Sequence, residues 1–208
     1  MYLSEICCMK ANAMKDRMLL VLAALVLLTG CGAPYQYTGS VIDPPKPATH
    51  YTLADNQSQP FELGAPSDDV TLLYFGYTNC PNFCPTTMGT WKQVRQELGA
   101  AADNVRFVMI SVDPARDTEP VLREYLAHFD PTFIGIRPTL EQVEALSREY
   151  GVGVDSHAAG TQDPATAHTK HGSYTYVLDR AGQLRLLFHL DADAAPMAAD
   201  IKQLLREN

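Results

Sequence analysis

Thr71-Leu-Leu-Tyr-Phe-Gly76 leads through Tyr77-Thr-Asn into Cys80-Pro-Asn-Phe-Cys84-Pro85, and from there to Leu98 the residues Met88, Trp91, Val94, Arg95 and Leu98 recur at helical spacing. A short apolar run bounded by turn residues reads as a buried strand, and the recurrence after it as an amphipathic helix. Val105-Arg-Phe-Val-Met-Ile-Ser-Val112 is a second buried strand. Strand, helix and strand in this order predict two parallel neighbours in one sheet, with both cysteines at the joint where the first strand becomes a helix.

Outward from this unit, residues 121–129 and 140–150 read as amphipathic helices, the second stopped by Gly151. Tyr174-Thr-Tyr-Val-Leu-Asp179 and Leu184-Arg-Leu-Leu-Phe-His-Leu190 bracket Arg180-Ala-Gly-Gln183 as an antiparallel hairpin, and residues 194–205 close the chain as a helix. Upstream, Tyr51-Thr-Leu53 and Phe61-Glu-Leu63 flank the polar residues 54–59 and suggest another hairpin. Parallel units followed by a hairpin and a last helix are the order of an α/β thioredoxin-like fold. The expectation is a central mixed sheet flanked by helices, with an N-terminal β-hairpin extension, over residues 49–208.

The remaining N-terminal residues read differently. Residues 18–28 are uniformly apolar, too short to span a bilayer comfortably, and preceded by Lys15 and Arg17. They end in Leu28-Thr-Gly-Cys31, which resembles the lipobox of bacterial lipoproteins. Residues 1–30 are therefore expected to be a lipoprotein-type signal peptide, with Cys31 as the acylated N-terminus of an extracytoplasmic, membrane-anchored protein of the cell envelope. Met14 begins a more conventional signal than Met1, so Cys7 and Cys8 carry no functional weight. Residues 31–48, with Gly32, Pro34, Gly39, Pro44, Pro45 and Pro47, read as a tether with at most one short extended piece around Ser40 to Ile42, reaching about 50 Å when extended. The net charge of −8 argues against a nucleic-acid partner, which needs clustered Lys and Arg.

Only Cys80 and Cys84 then remain, and outside the cytoplasm such a pair is a disulfide, a redox couple or a metal site. The N-terminus of a helix stabilises a thiolate through its free N–H groups and dipole. Positions i and i+4 lie on one side of a helical turn, so two thiolates can converge on one ion. Soft thiolates select Cu(I), Zn(II) or iron–sulfur clusters, and a cluster ordinarily needs more cysteines. The third ligand expected is His171, which lies just before the strand at residues 174–178. In a thioredoxin-like fold that loop faces the cysteines and commonly carries a cis-proline, absent here. His168 is the rival; His50, His128, His157 and His189 read as structural or solvated, and Met88 and Met109 as core.

Phe75-Gly-Tyr-Thr-Asn-Cys80-Pro-Asn-Phe-Cys84-Pro-Thr-Thr-Met88 is similar to the signature of the Sco/SenC family, copper-binding thioredoxin-like proteins involved in assembling cytochrome c oxidase. Ile110-Ser-Val-Asp-Pro-Ala-Arg-Asp-Thr118 resembles the family's segment after the second strand, and His171-Gly-Ser-Tyr-Thr-Tyr-Val-Leu-Asp179 the block bearing its histidine ligand. Asn79 and Asn82 depart from a pattern that often has His and Asp there, which leaves the two thiolates and the imidazole intact. The segment holding Asp113 and Asp117 reads chiefly as a loop and helix start. The resemblance implies copper as the bound metal. It implies a metallochaperone, not a turnover enzyme, with the oxidase's copper-bearing subunit or another copper chaperone as partner. The alternative it allows is a membrane-tethered thiol-disulfide reductase acting on the cysteines of a copper-receiving protein. A thiol peroxidase needs no such i+4 partner together with a distant histidine, and a purely structural disulfide leaves the helix-terminal placement unexplained.

Overall fold

In a computed structural model that describes residues 34–153 and 174–207, the two buried runs around the cysteines are adjacent parallel strands. Strand β4 (Val70–Gly76) pairs with β5 (Val105–Ser111), and β5 pairs in parallel with β6 (Ile134–Ile136). On the other side, β7 (Tyr174–Leu178) runs antiparallel to β4 and to β8 (Gln183–His189), and β8 pairs with β1 (Ser40–Pro47). The sheet order is β1-β8-β7-β4-β5-β6, and a separate hairpin joins β2 (Tyr51–Ala54) to β3 (Pro60–Leu63). This is the mixed sheet and hairpin extension expected.

Helices α1 (Phe83–Leu98), α2 (Glu119–Ala127) and α4 (Ala194–Glu207) cover one face of the sheet; α3 (Leu140–Tyr150) lies on the other. Trp91 of α1 fixes the first face. Fully buried, it meets Tyr74, Phe107 and Phe133 edge-on, and its indole N–H donates to Thr175 Oγ1 at 3.1 Å. Leu122 and Leu126 of α2 pack over Gly135, where a Cβ would come within 3.0 Å of Leu126. On the opposite face Tyr150 packs against Phe75 and Tyr176. Thr139 and Gln142 form a capping box at the start of α3, and Gly151 in the left-handed region ends it.

Two features go beyond what the residue pattern suggested. The short β6 carries too few residues to show alternation. Strand β1 occupies the segment expected to be a tether, so the folded domain begins ahead of residue 49. Three prolines are tolerated because β1 is an edge strand, whose outward N–H groups bond nothing in the sheet, and its pairing is irregular between Val41 and Lys46. The entry to β1 is fastened. Fully buried Asp200 of α4 accepts from Thr38 N and Oγ1, both at 2.8 Å, and from Gly39 N at 2.9 Å, while Tyr37 donates to Glu207 at 2.7 Å. Gly39 has no room for a side chain, since a Cβ would lie 2.7 Å from the Phe188 ring. No helix among the described residues is long and apolar enough to cross a membrane. The expected signal peptide, Cys31, His157, His168 and His171 lie outside the described residues.

Candidate metal centre

Strand β4 delivers the cysteine loop at its C-terminal end, and α1 begins inside the motif. The N-cap residue Asn82 makes no side-chain cap; instead Cys84 N donates to Cys80 Sγ at 3.4 Å, so the sulfur takes the capping position. The thiol of Cys84 and the backbone N–H groups of Asn82, Phe83 and Cys84 all favour the charged sulfur against burial, holding the Cys80 thiol at about 5. Cys84 moves the opposite way: hydrogen-bonded to the Cys80 sulfur and buried, its thiol is pushed far above the ordinary range. Their shared hydrogen bond thus favours the charge on Cys80 and the proton on Cys84. Both are free thiols and both are buried.

The surroundings are aromatic and tightly built. Tyr74 places its hydroxyl 3.6 Å from Cys84 Sγ, on the side of the sheet that meets Trp91. Burial first, then the charges of Cys80 and Cys84, pushes the Tyr77 hydroxyl up to about 12, so it stays a neutral donor beside them. Gly76 sits under Cys84: a Cβ there would lie 2.6 Å from the Tyr74 ring and 3.0 Å from Cys84 Sγ. The glycine is what lets the second sulfur settle against the strand.

A buried carboxylate holds the loop. Asp117 accepts from Thr78 Oγ1 at 2.6 Å, from Thr78 N at 3.2 Å and from Ser111 Oγ at 2.6 Å. Burial raises its carboxyl above the usual range in spite of these bonds. Asp113, also buried, pairs with Arg116, and Val112 N donates to Gly76 O at 2.9 Å. The end of β5 and the cysteine loop thus form one unit, and a segment expected to be chiefly a loop and helix start fastens the motif. Tyr125 of α2 faces the same region, its hydroxyl pushed above the ordinary range by burial and then by Cys84, Cys80 and Asp117. Tyr74, Gly76 and Tyr125 carry no sequence signal of their own; alternation places Tyr74 and Gly76 on the face toward α1, and nothing more.

Two soft thiolates suit a soft metal ion. Among the described residues no cluster of three or more His, Cys, Asp or Glu could hold one, so Cys80 and Cys84 lack a third donor there. His171 lies outside the described residues; Tyr174, shortly after it in sequence, opens β7 beside the C-terminal end of β4, where the cysteine loop leaves the sheet. The other described histidines have local partners: His50 with Glu62, His128 with Glu124 O and His189 with Asp191. Met88 and Met109 are fully buried in the core.

Residues 41–206 match the family model SCO1/SenC. Among curated proteins, the chain is 29% identical over 193 residues to the SCO2-like protein of Rickettsia felis, covering 86% of this chain and 93% of that one. It is 38% identical over 131 residues to Protein SenC of Rhodobacter capsulatus, covering 62% and 57%. Among solved structures it is similar to copper-bound ScoI of Bradyrhizobium japonicum, with a TM-score of 0.65 and 30% identity over 75% of this chain and 98% of that one.

Proposed function

We propose, on the premise that this chain belongs to the SCO1/SenC family, that it is a copper-binding metallochaperone acting in the assembly of cytochrome c oxidase, with copper as its cargo. The observation that carries the reading is the pair of buried sulfurs brought together at the start of α1, with Cys84 N donating to Cys80 Sγ. In this reading Cys80 and Cys84 are two ligands and His171 is the third. Support for His171 comes from the shared block before β7 and from the opening of β7 beside the cysteine loop.

The protonation pattern makes the test quantitative. Above about pH 5 Cys80 is ionised, while Cys84 keeps its proton through the neutral range. Reduced protein is expected to take up about one copper per chain and to release about one proton, from Cys84, in place of the two that ordinary thiols give up. Metal analysis, with calorimetry in buffers of different ionisation enthalpy, reads both numbers. Copper uptake undiminished after verified oxidation to the disulfide would remove both cysteines from the ligand set.

The asymmetry also favours a second reading. A low-pKa attacking sulfur at Cys80 beside a protonated resolving sulfur at Cys84 is what thiol-disulfide exchange requires. A membrane-tethered reductase for the cysteines of a copper-receiving protein would use the same pair without His171.

The partner in the chaperone reading is the oxidase's copper-bearing subunit or another copper chaperone, met at the outer face of a membrane. Acylation of Cys31 supplies the anchor, on the strength of the charged, apolar and small residues that precede it. Radiolabelled fatty acid is expected to enter the wild-type protein and not Cys31→Ser; equal labelling of the two, or none in either, defeats this assignment.

A further inference from the structure

Among the described residues large apolar side chains are exposed at few places, and apart from Tyr35 and Val41 they lie on one edge of the sheet: Phe83 at 49%, Val121 at 40%, Leu140 at 54% and Tyr174 at 40%. Phe83 opens α1, Val121 is in the first turn of α2, Leu140 opens α3 and Tyr174 opens β7. The helices start where the parallel strands β4, β5 and β6 end, and β7, antiparallel to β4, starts there too. This is the edge that carries Cys80. First-turn positions of helices favour acidic and polar residues, so apolar ones exposed at three helix starts are not a by-product of helix formation. Gathered exposed apolar surface marks an interaction site.

The loops between these elements are tied into one rim. Thr78 is held by Asp117, and Arg137 Nε donates to Pro114 O at 2.9 Å. Beside that last bond lies a groove of about 320 Å³ lined by Pro114, Ala115, Arg137, Pro138, Thr139 and Leu140. Its lining is apolar except for Thr139 and the exposed guanidinium of Arg137, a cation on a chain whose net charge is −8. Arg116, the cation of the neighbouring loop, is already paired with Asp113.

We infer that this edge is the docking surface for the copper-accepting protein, an inference that rests on the chaperone reading above. The occupant is a folded protein whose thiol-bearing loop meets Cys80. Beside that loop it presents an apolar side chain to the groove and a carboxylate to Arg137. Copper then passes by ligand exchange without change of its charge, each thiolate of the acceptor replacing one here, and the protons shed by the acceptor go to the sulfurs that are left or to water. Apolar contact supplies the holding energy, and the Arg137 pair orients the partner and weakens with salt.

The test compares the wild-type full chain, in detergent, with Val121→Glu/Leu140→Glu. Both positions are first-turn helix sites where an acidic residue favours the helix, so the fold is not at stake. The protein acceptor is the soluble copper-bearing domain of the oxidase, and the small acceptor is a Cu(I) chelator that needs no docking. The double variant is expected to load copper and to yield it to the chelator as the wild type does. Its affinity for the protein acceptor, and its rate of transfer to that acceptor, should fall about tenfold or more. Loading as wild type with unchanged transfer to the protein acceptor overturns the inference. If the wild-type chain takes no copper yet binds the acceptor in a way the double variant does not, the docking surface stands and the chaperone reading falls.

Discussion

His171→Ala is expected to lower copper affinity by about a hundredfold or more, since it removes one of three proposed ligands and even outer-sphere changes cost ten- to a hundredfold. It should leave the rate and extent of Cys80–Cys84 disulfide formation near wild type. The sulfurs are placed by Cys84 N, Tyr74 and the end of β4, all of which the substitution leaves in place. Metal binding and redox behaviour then separate in one variant, measured by competition with a Cu(I) chelator and by thiol titration against a redox buffer. His168→Ala is the control for altered loop composition. In cells, oxidase activity should drop with His171→Ala and recover in part when copper is added. Full copper affinity and full oxidase assembly in His171→Ala, with assembly abolished in Cys80→Ser, would hand the function to the thiol reductase.

Asp117→Ala should be the most damaging polar substitution near the site. It strands the Thr78 N–H and the Ser111 and Thr78 hydroxyls in a place where Asp117 is only 1% exposed. A loss of about 2–4 kcal/mol follows from leaving such donors unmet, or on the order of 10 °C in melting temperature for a domain of this size. Asp117→Asn keeps an oxygen acceptor and lets the hydroxyls rotate to suit the amide, so its loss should be much smaller. The pH dependence distinguishes the two causes. Burial raises the Asp117 carboxyl in the folded state, so ionisation opposes folding, and its cost is absent in acid and grows as pH rises from about 4, the unfolded value. The stability of Asp117→Asn relative to wild type should therefore improve as pH rises from acid to neutral in denaturant titrations. A gap that stays flat with pH would mean that the carboxylate is not disfavoured by its surroundings. Copper release from Asp117→Ala should quicken as well, because the cysteine loop loses its attachment to β5.

Much of this was legible beforehand, for reasons that differ by element. The apolar runs at Thr71–Gly76 and Val105–Val112 and the spacing of Met88, Trp91 and Leu98 report burial directly, so the parallel unit and the position of the cysteines followed. Strand β6, Ile134–Ile136, is too short for any period to emerge. Of strand β1 only the start at residues 40–42 was legible; the rest was hidden by its prolines, which speak against a strand in general and are harmless on an edge. At the site, the cysteines announce themselves through chemistry and spacing. The Thr78–Asp117–Ser111 bridge joins loops far apart in sequence, and Gly76 matters only because a sulfur lies above it. Such dependencies are properties of packing and leave no periodic trace in one chain.

The clasp of Thr38 and Gly39 on Asp200 sets a leash. Ser40 pairs with Leu187 and Tyr174 with His189, so β1 is entered from the same edge of the sheet that bears the cysteine loop. With Cys31 acylated, as proposed above, the length of chain from there to Thr38 can span at most about 25 Å, half the reach of the tether expected over residues 31–48. On that proposal, a domain moored so closely by that edge would hold its cargo toward the lipid surface, and the receiver it could serve would be one seated low in the same membrane.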